Sequence, residues 1–312
     1  MIAPDAFSTV GPAGRVPPQQ LVRAAGLVRA GRSFSLAAPR FPGMPLFPGH
    51  PPFQVLTYRT PHGLRVGREN LWAPTPNDAH LGCMTEVVSS TTHSGAHIDA
   101  LAHITVGHDA HWFGGANAAD HLGDFGPTVG DAESLPALFT RGVLVDAARH
   151  RRVACLPAGS PVSAEEILSI LAEQDIELQQ WDVVLIRTGY MSLWPDSVRM
   201  AEHKTPGPDL SAANLFAERG VIAVGSDTET FEVQPTPDAG QPSNPQPVHT
   251  RLLIDEGIYI MESLDLEQIA AARISEFLFV ALPLKIRGAT GSMIDPLAVI
   301  LRLNARYERG HA

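Results

Sequence analysis

The sequence predicts an α/β fold, and three observations carry that reading. Short runs rich in β-branched residues at 143–145, 183–186 and 221–224 read as buried strands. Amphipathic stretches of helical period stand between them. Each stretch carries its own start or stop signal. Ser163-Ala-Glu-Glu166 is a capping box that opens a helix running to about Glu173. A second helix is capped by Ser211 and closed by Gly220, the residue that most easily takes the left-handed turn after a helix. Strand, helix and strand in alternation build a sheet covered by helices.

In chain order, residues 1–52 are rich in Pro and Gly, with one helix-like piece at 19–30. They read as an N-terminal arm or cover, and 53–312 as a single catalytic domain. An apolar run at 83–88 leads into His93-Ser-Gly-Ala-His97-Ile-Asp99-Ala-Leu-Ala-His103. His93, His97, Asp99 and His103 share parity, so an extended strand points all four to one face, whereas a helix would group only the first two. The segment is therefore expected to be a strand that reaches a site and turns helical after Asp99. Gly95 lets backbone pass close to a ligand. The strand at 143–145 ends at Asp146, and the one at 183–186 leads into Arg187-Thr-Gly-Tyr190. The strand at 221–224 delivers Ser226 and Asp227. Residues 233–248 hold five prolines and read as a long surface loop of the kind that covers sites. His249 follows, then a strand at 257–261 ending on Glu262, a helix at 265–272, a strand at 277–284 and a tight turn at 288–292.

Composition bounds the function. The chain has 312 residues, 44% hydrophobic and 18% charged, which is globular. No run of eighteen apolar residues exists, so no membrane span is expected, and no signal peptide is evident at the N-terminus. Cys83 and Cys155 cannot build a disulfide framework and form no C-x-x-C pattern, which fits a reduced cytoplasmic setting. A net charge of −10 without a Lys/Arg cluster argues against nucleic acid as a partner and leaves a small molecule. A phosphate-binding loop, an H-E-x-x-H helix and a G-x-S-x-G elbow are all absent.

Imidazole and carboxylate are the ligands that suit zinc or manganese. His93, His97 and Asp99 can hold one divalent ion with a position left for water, and His103 can move a proton. His249 and Glu262 offer a second pair. If both reach the first cluster, Asp99 can bridge two ions. Composition alone reads Glu262 as a surface carboxylate, His249 as a loop residue, and Asp227, Glu229 and Glu232 as a solvated acidic edge. Phe34, Phe47, Trp72, Trp112 and Phe113 could wall a pocket, with core packing as their default. Arg187 either meets a substrate carboxylate or pairs inside the fold. His108 and His111 lie near enough to support the site from behind.

The His cluster resembles the H-x-G-T-H-x-D-x-x-x-H signature of the cyclase family, which includes bacterial kynurenine formamidase and isatin hydrolase. Further blocks are similar: VVLIRTGY at 183–190, VIAVGSD at 221–227, HTRLLIDEGIYIMESL at 249–264 and PLKIRGATGS at 283–292. The resemblance spans roughly 53–301. It implies a swivelling β/β/α domain with a central mixed sheet, commonly dimeric. It implies His93, His97 and Asp99 as first metal ligands, His249 and Glu262 as the second set, and His103 as the proton-transfer residue. The implied activity is metal-dependent hydrolysis of an amide-type bond: an N-formyl amide, a lactam or a cyclic imide. A lactone or ester hydrolase would use the same groups, and a non-enzymatic metal-binding protein is the third reading. Ala96 stands where the signature has Thr, and Leu101 where formamidases often have Pro. One ion or two is left open.

Overall fold

Four parallel strands form the centre of the molecule. The computed structural model describes residues 9–28, 31–241 and 243–300. Its main sheet has nine strands. In chain order they are β1 (Ser33–Ser35), β2 (His97–Asp99), β3 (Leu138–Asp146), β4 (Val183–Arg187), β5 (Ala223–Ser226), β6 (Tyr259–Glu262), β7 (Glu276–Ala281), β8 (Gly291–Met293) and β9 (Leu297–Ile300). Across the sheet the order is β1-β9-β7-β3-β4-β5-β6-β2-β8. The four neighbours β3, β4, β5 and β6 run parallel. All other pairings are antiparallel. A mixed central sheet is thus what the molecule has. β4 and β5 are buried at every residue, which is why their sequences read as continuous apolar runs rather than alternating ones.

Three helices need naming: α1 (Pro18–Gly26), α2 (Ala164–Glu173) and α3 (Leu210–Arg219). α2 begins and ends where its capping signal places it. Ser163 Oγ accepts from Glu166 N at 3.3 Å. The return half of the capping box is missing, because the Glu166 carboxylate binds the Arg151 guanidinium at 2.7 and 2.5 Å instead. Ser211 does not cap α3. Asp209 does, accepting from Ala212 N at 3.1 Å, while the Ser211 hydroxyl donates to Asp209 at 2.6 Å. A full negative charge answers the unpaired N–H groups and the helix dipole better than a hydroxyl. Gly220 ends α3 at φ 68, as expected.

The His cluster is not one extended strand. Only His97–Asp99 is strand. Gly95, at φ +59, turns the chain just before it, and after Asp99 the chain bends, with His103 N donating to Ala100 O at 2.9 Å. Strand parity alone therefore does not bring the four side chains together. The elements expected at 257–261, 265–272 and 277–284 appear as Tyr259–Glu262, Glu267–Ala271 and Glu276–Ala281. The helix expected at 19–30 is Pro18–Gly26, and residues 29 and 30 lie outside the described residues. The first fifty residues supply the edge strand β1, which pairs with β9. A hairpin of Gln54–Arg59 and Thr85–Ser89 stands off the body. Its strands are exposed on both faces, carrying Val55, Leu56, Tyr58, Val87 and Val88 into solvent. Among the described residues no helix is long and apolar enough to cross a membrane.

Candidate metal centre

Two neighbouring antiparallel strands, β2 and β6, place the central groups. Their register sets His97 directly opposite Glu262. β8 pairs with the other edge of β2 and sets Gly291 opposite Asp99. A Cβ on Gly291 would stand 2.5 Å from His93 Cε1, so the bare glycine is what leaves room for that ring. Arg40 clamps the loop from outside. Its Nε donates to Ser94 O at 2.9 Å, and its Nη2 donates to Ala96 O at 2.5 Å and to Ile294 O at 2.9 Å.

His93, His97, Asp99, His249 and Glu262 are all buried, and their polar atoms converge. His97 Nε2 lies 3.3 Å from Glu262 Oε2 and 3.6 Å from Asp99 Oδ1. His249 Nε2 lies 3.2 Å from Glu262 Oε1 and 3.9 Å from Asp99 Oδ2. His93 Nδ1 lies 2.9 Å from Asp99 Oδ1 without hydrogen-bond geometry. Two ligand-type triads result, His93/His97/Asp99 and Asp99/His249/Glu262, each with donor atoms within 4.8 Å of one another. They share Asp99. His103 Nε2 is 4.0 Å from Asp99 Oδ1, and its ring lies 4.1 Å from that of His93. Burial pushes the His103 imidazole down to about 4 against the pull of Asp99, so it is neutral at pH 7 and able to accept a proton.

The donor set fits a divalent cation on three grounds. His93 Nδ1 and both Asp99 oxygens are buried without a hydrogen-bond partner, a costly arrangement that an ion relieves. Atoms sharing one tetrahedral ion at about 2.0–2.1 Å stand about 3.3 Å apart, close to the His97–Glu262 and His249–Glu262 spacings. The two imidazoles nearest Glu262 also have their tautomers set. His97 Nδ1 donates to Gly95 O at 2.8 Å, and His249 Nδ1 donates to Glu232 Oε1 at 2.5 Å. Each therefore turns Nε2 toward the cluster, where it would be the nitrogen offered to an ion once its proton is displaced.

Glu232 is one of the acidic residues expected on a solvated edge, and that expectation fails. It is fully buried and also accepts from His249 N at 3.0 Å and Val248 N at 3.2 Å. Asp227 is fully buried too, accepting from Thr188 N, Thr188 Oγ1 and Gly189 N at 2.7–2.8 Å. Glu229 lines the pocket beside the cluster. Burial, and then the charge of Glu262, push its carboxyl up to about 7. Arg187 pairs inside the fold with Asp146 and Glu267. His111 pairs with Asp109, and neither His108 nor His111 lines the pocket. Of the five aromatic candidates only Phe47 lines it, and Trp112 and Phe34 are core residues. Sequence reasoning missed His50, whose ring stacks on His93 at 5.6 Å, and Trp194 on the pocket wall. No spacing signal marks either.

The cavity beside the cluster measures about 640 Å³ and is bounded by His93, His97, His103, His249 and Glu262 on one side. The family model described as "Putative cyclase" matches residues 34–233. The chain belongs to the cyclase family. Solved structures are similar over nearly the whole cyclase chain. A novel cyclase is 28% identical with a TM-score of 0.80, covering 93% of both chains. Isatin hydrolase A from Labrenzia aggregata, bound to benzyl benzoate, is 20% identical with a TM-score of 0.64, covering 91% of this chain and 99% of that one. A potential metal-dependent hydrolase with cyclase activity is 18% identical with a TM-score of 0.51, covering 86% and 98%. These last two likenesses show the fold, which is the swivelling β/β/α arrangement expected. No curated protein matches.

Proposed function

We propose that this cyclase-family chain is a metal-dependent hydrolase of a small amide-type bond: an N-formyl amide, a lactam or a cyclic imide. One observation carries the reading. Two triads of buried ligand-type groups meet on Asp99 beside an open pocket of about 640 Å³. His93, His97, Asp99, His249 and Glu262 are the groups that would hold one ion or two. Imidazole and carboxylate without thiolate suit zinc or manganese, and an accessible pocket distinguishes a catalytic site from a closed structural one. The hydrolases that share the fold favour the same class of reaction.

A divalent ion held there supplies Lewis acidity, lowering the pKa of water and polarising a carbonyl. The protein's own groups do the rest. His97 and His249 have Nδ1 committed to Gly95 O and Glu232, which leaves Nε2 as the nitrogen that would hold the ion. His103 Nε2, neutral and on the pocket wall, takes a proton from the attacking water and returns it to the departing nitrogen. The carbonyl carbon gains hydroxyl, the nitrogen gains hydrogen, and the C–N bond breaks. The exposed hairpin supports a homodimer, because an isolated two-stranded ribbon is marginal in water until something covers it. Two free cysteines fit a reducing cytoplasm.

Zinc- and manganese-loaded protein should hydrolyse at least one of N-formylkynurenine, isatin and simple cyclic imides. His103→Ala should retain its metal by elemental analysis and lose about 10²–10⁴-fold in kcat. Full rate in that variant, or a wild type that holds no divalent ion, would refute the assignment. Faster turnover of matched lactones than of lactams would move it to ester hydrolysis.

A further inference from the structure

Beside the candidate metal centre the pocket is lined by further polar side chains, among them Lys204, Gln234, Gln246 and the carboxyl of Glu229. Glu229 follows β5 and lines the same cavity as His97, His249 and Glu262. Its backbone is pinned on both sides. Thr228 Oγ1 hydrogen-bonds Ser226 Oγ at 2.8 Å, and Thr230 Oγ1 hydrogen-bonds Thr205 Oγ1 at 2.6 Å. A group so held is presented rigidly.

Glu229 has a hydrogen-bonding side chain next to it, the Tyr190 hydroxyl. That hydroxyl donates to Met200 O at 2.8 Å and also lies within hydrogen-bonding reach of the carboxyl, so one proton is shared between two acceptors and satisfies Glu229 only in part. Among the described residues Glu229 forms no ion pair, although Lys204 lines the same pocket. The same pocket also carries apolar side chains, Leu46, Phe47, Trp194 and Met200. A carboxylate in such a place is costly until a cation or N–H donor meets it.

We propose that Glu229 selects substrates that carry a protonated amine on an apolar body, receiving the ammonium while the scissile carbonyl faces the His/Asp/Glu cluster. The placing of the carbonyl rests on the hydrolase reading above, and the amine preference does not. Glu229 acts as a specificity residue, contacting the end of the substrate that does not react. Because hydrogen bonds to charged groups contribute about 1.5–3 kcal/mol, removing the charge should cost roughly 10–100-fold in amine affinity.

The test is calorimetric titration of metal-loaded wild type and Glu229→Gln with two probes, phenethylamine and its neutral counterpart phenethyl alcohol, with metal content measured on the same samples. Glutamine keeps the shape and removes the charge. Wild type should prefer the amine, and Glu229→Gln should lose at least tenfold for the amine while alcohol affinity and metal content hold. An unchanged amine-to-alcohol ratio overturns the proposal. So does an equal loss for both probes, which marks a merely structural role. A wild type that retains no metal but still shows the Glu229-dependent amine preference would sink the hydrolase reading and leave this one standing.

Discussion

His249 shows how much a single buried contact decides. Its Nδ1 is committed to Glu232, so its Nε2 is the atom left for the cluster. Glu232→Gln keeps the shape but removes the charge. Metal affinity is expected to fall about 10–100-fold, measured by competition with a chelator, and an unchanged affinity would show that Glu232 orients nothing. Cys155 makes the opposite point. Its sulfur lies 3.5 Å from His203 Nε2, which resembles a nucleophile and its base. Yet that nitrogen lies 2.9 Å from Leu156 O, which accepts its proton, and burial, with Asp227 and Glu267 adding to it, pushes the thiol up to about 11. At pH 8 only about one molecule in a thousand carries the thiolate. Iodoacetamide at that pH should leave Cys155 unmodified by mass spectrometry, and rapid alkylation there would contradict the assignment of its proton. The candidate ligands were legible in the sequence because His93, His97, Asp99 and His103 fall at even-numbered spacings within eleven residues. The burial of Asp227 and Glu232 was not, since nothing in an acidic string tells which remote N–H groups will meet it.

At the scale of elements, the loop from His93 to β2 is shaped by groups distant in sequence. Arg40 spans the carbonyls of Ser94, Ala96 and Ile294 with one guanidinium. Arg40→Ala leaves three carbonyls without that donor. It should lower stability by about 1–3 kcal/mol and weaken metal retention, read from a thermal melt and elemental analysis. Arg40→Lys should not restore either, because an ammonium lacks the planar fork that reaches several acceptors at once. A lysine variant with full metal content would show that charge alone suffices. The helix α2 was readable from its capping box, whose local geometry needs no tertiary contact. The cap of α3 was misassigned, since Ser211 and Asp209 are both good caps and only the first helical turn chooses between them.

On the scale of the whole molecule, the hairpin of Gln54–Arg59 and Thr85–Ser89 carries a cluster of apolar side chains into solvent. Leu56 and Val87 face each other across it and both are exposed. If a second copy covers this ribbon, replacing both residues with Asp should give a monomer by analytical ultracentrifugation with an unchanged circular dichroism spectrum. A wild type that sediments as a monomer at all concentrations would remove the dimer from the picture. Half-burying an apolar ribbon by association is ordinary for sheet edges and faces that the parent domain leaves bare.

By itself the sequence determined the α/β class, the run of buried strands and the residue types able to hold a cation. Those follow from local period, capping chemistry and the close spacing of imidazole and carboxylate at 93–103. Only the tertiary structure decided that Glu262 sits opposite His97, that Glu232 turns His249 inward, and that Gly291 makes space for the His93 ring. The first and third depend on which strands pair and in what register, the second on how two segments outside the sheet pack together, and all are set by the packing of the whole molecule rather than by any short stretch of chain.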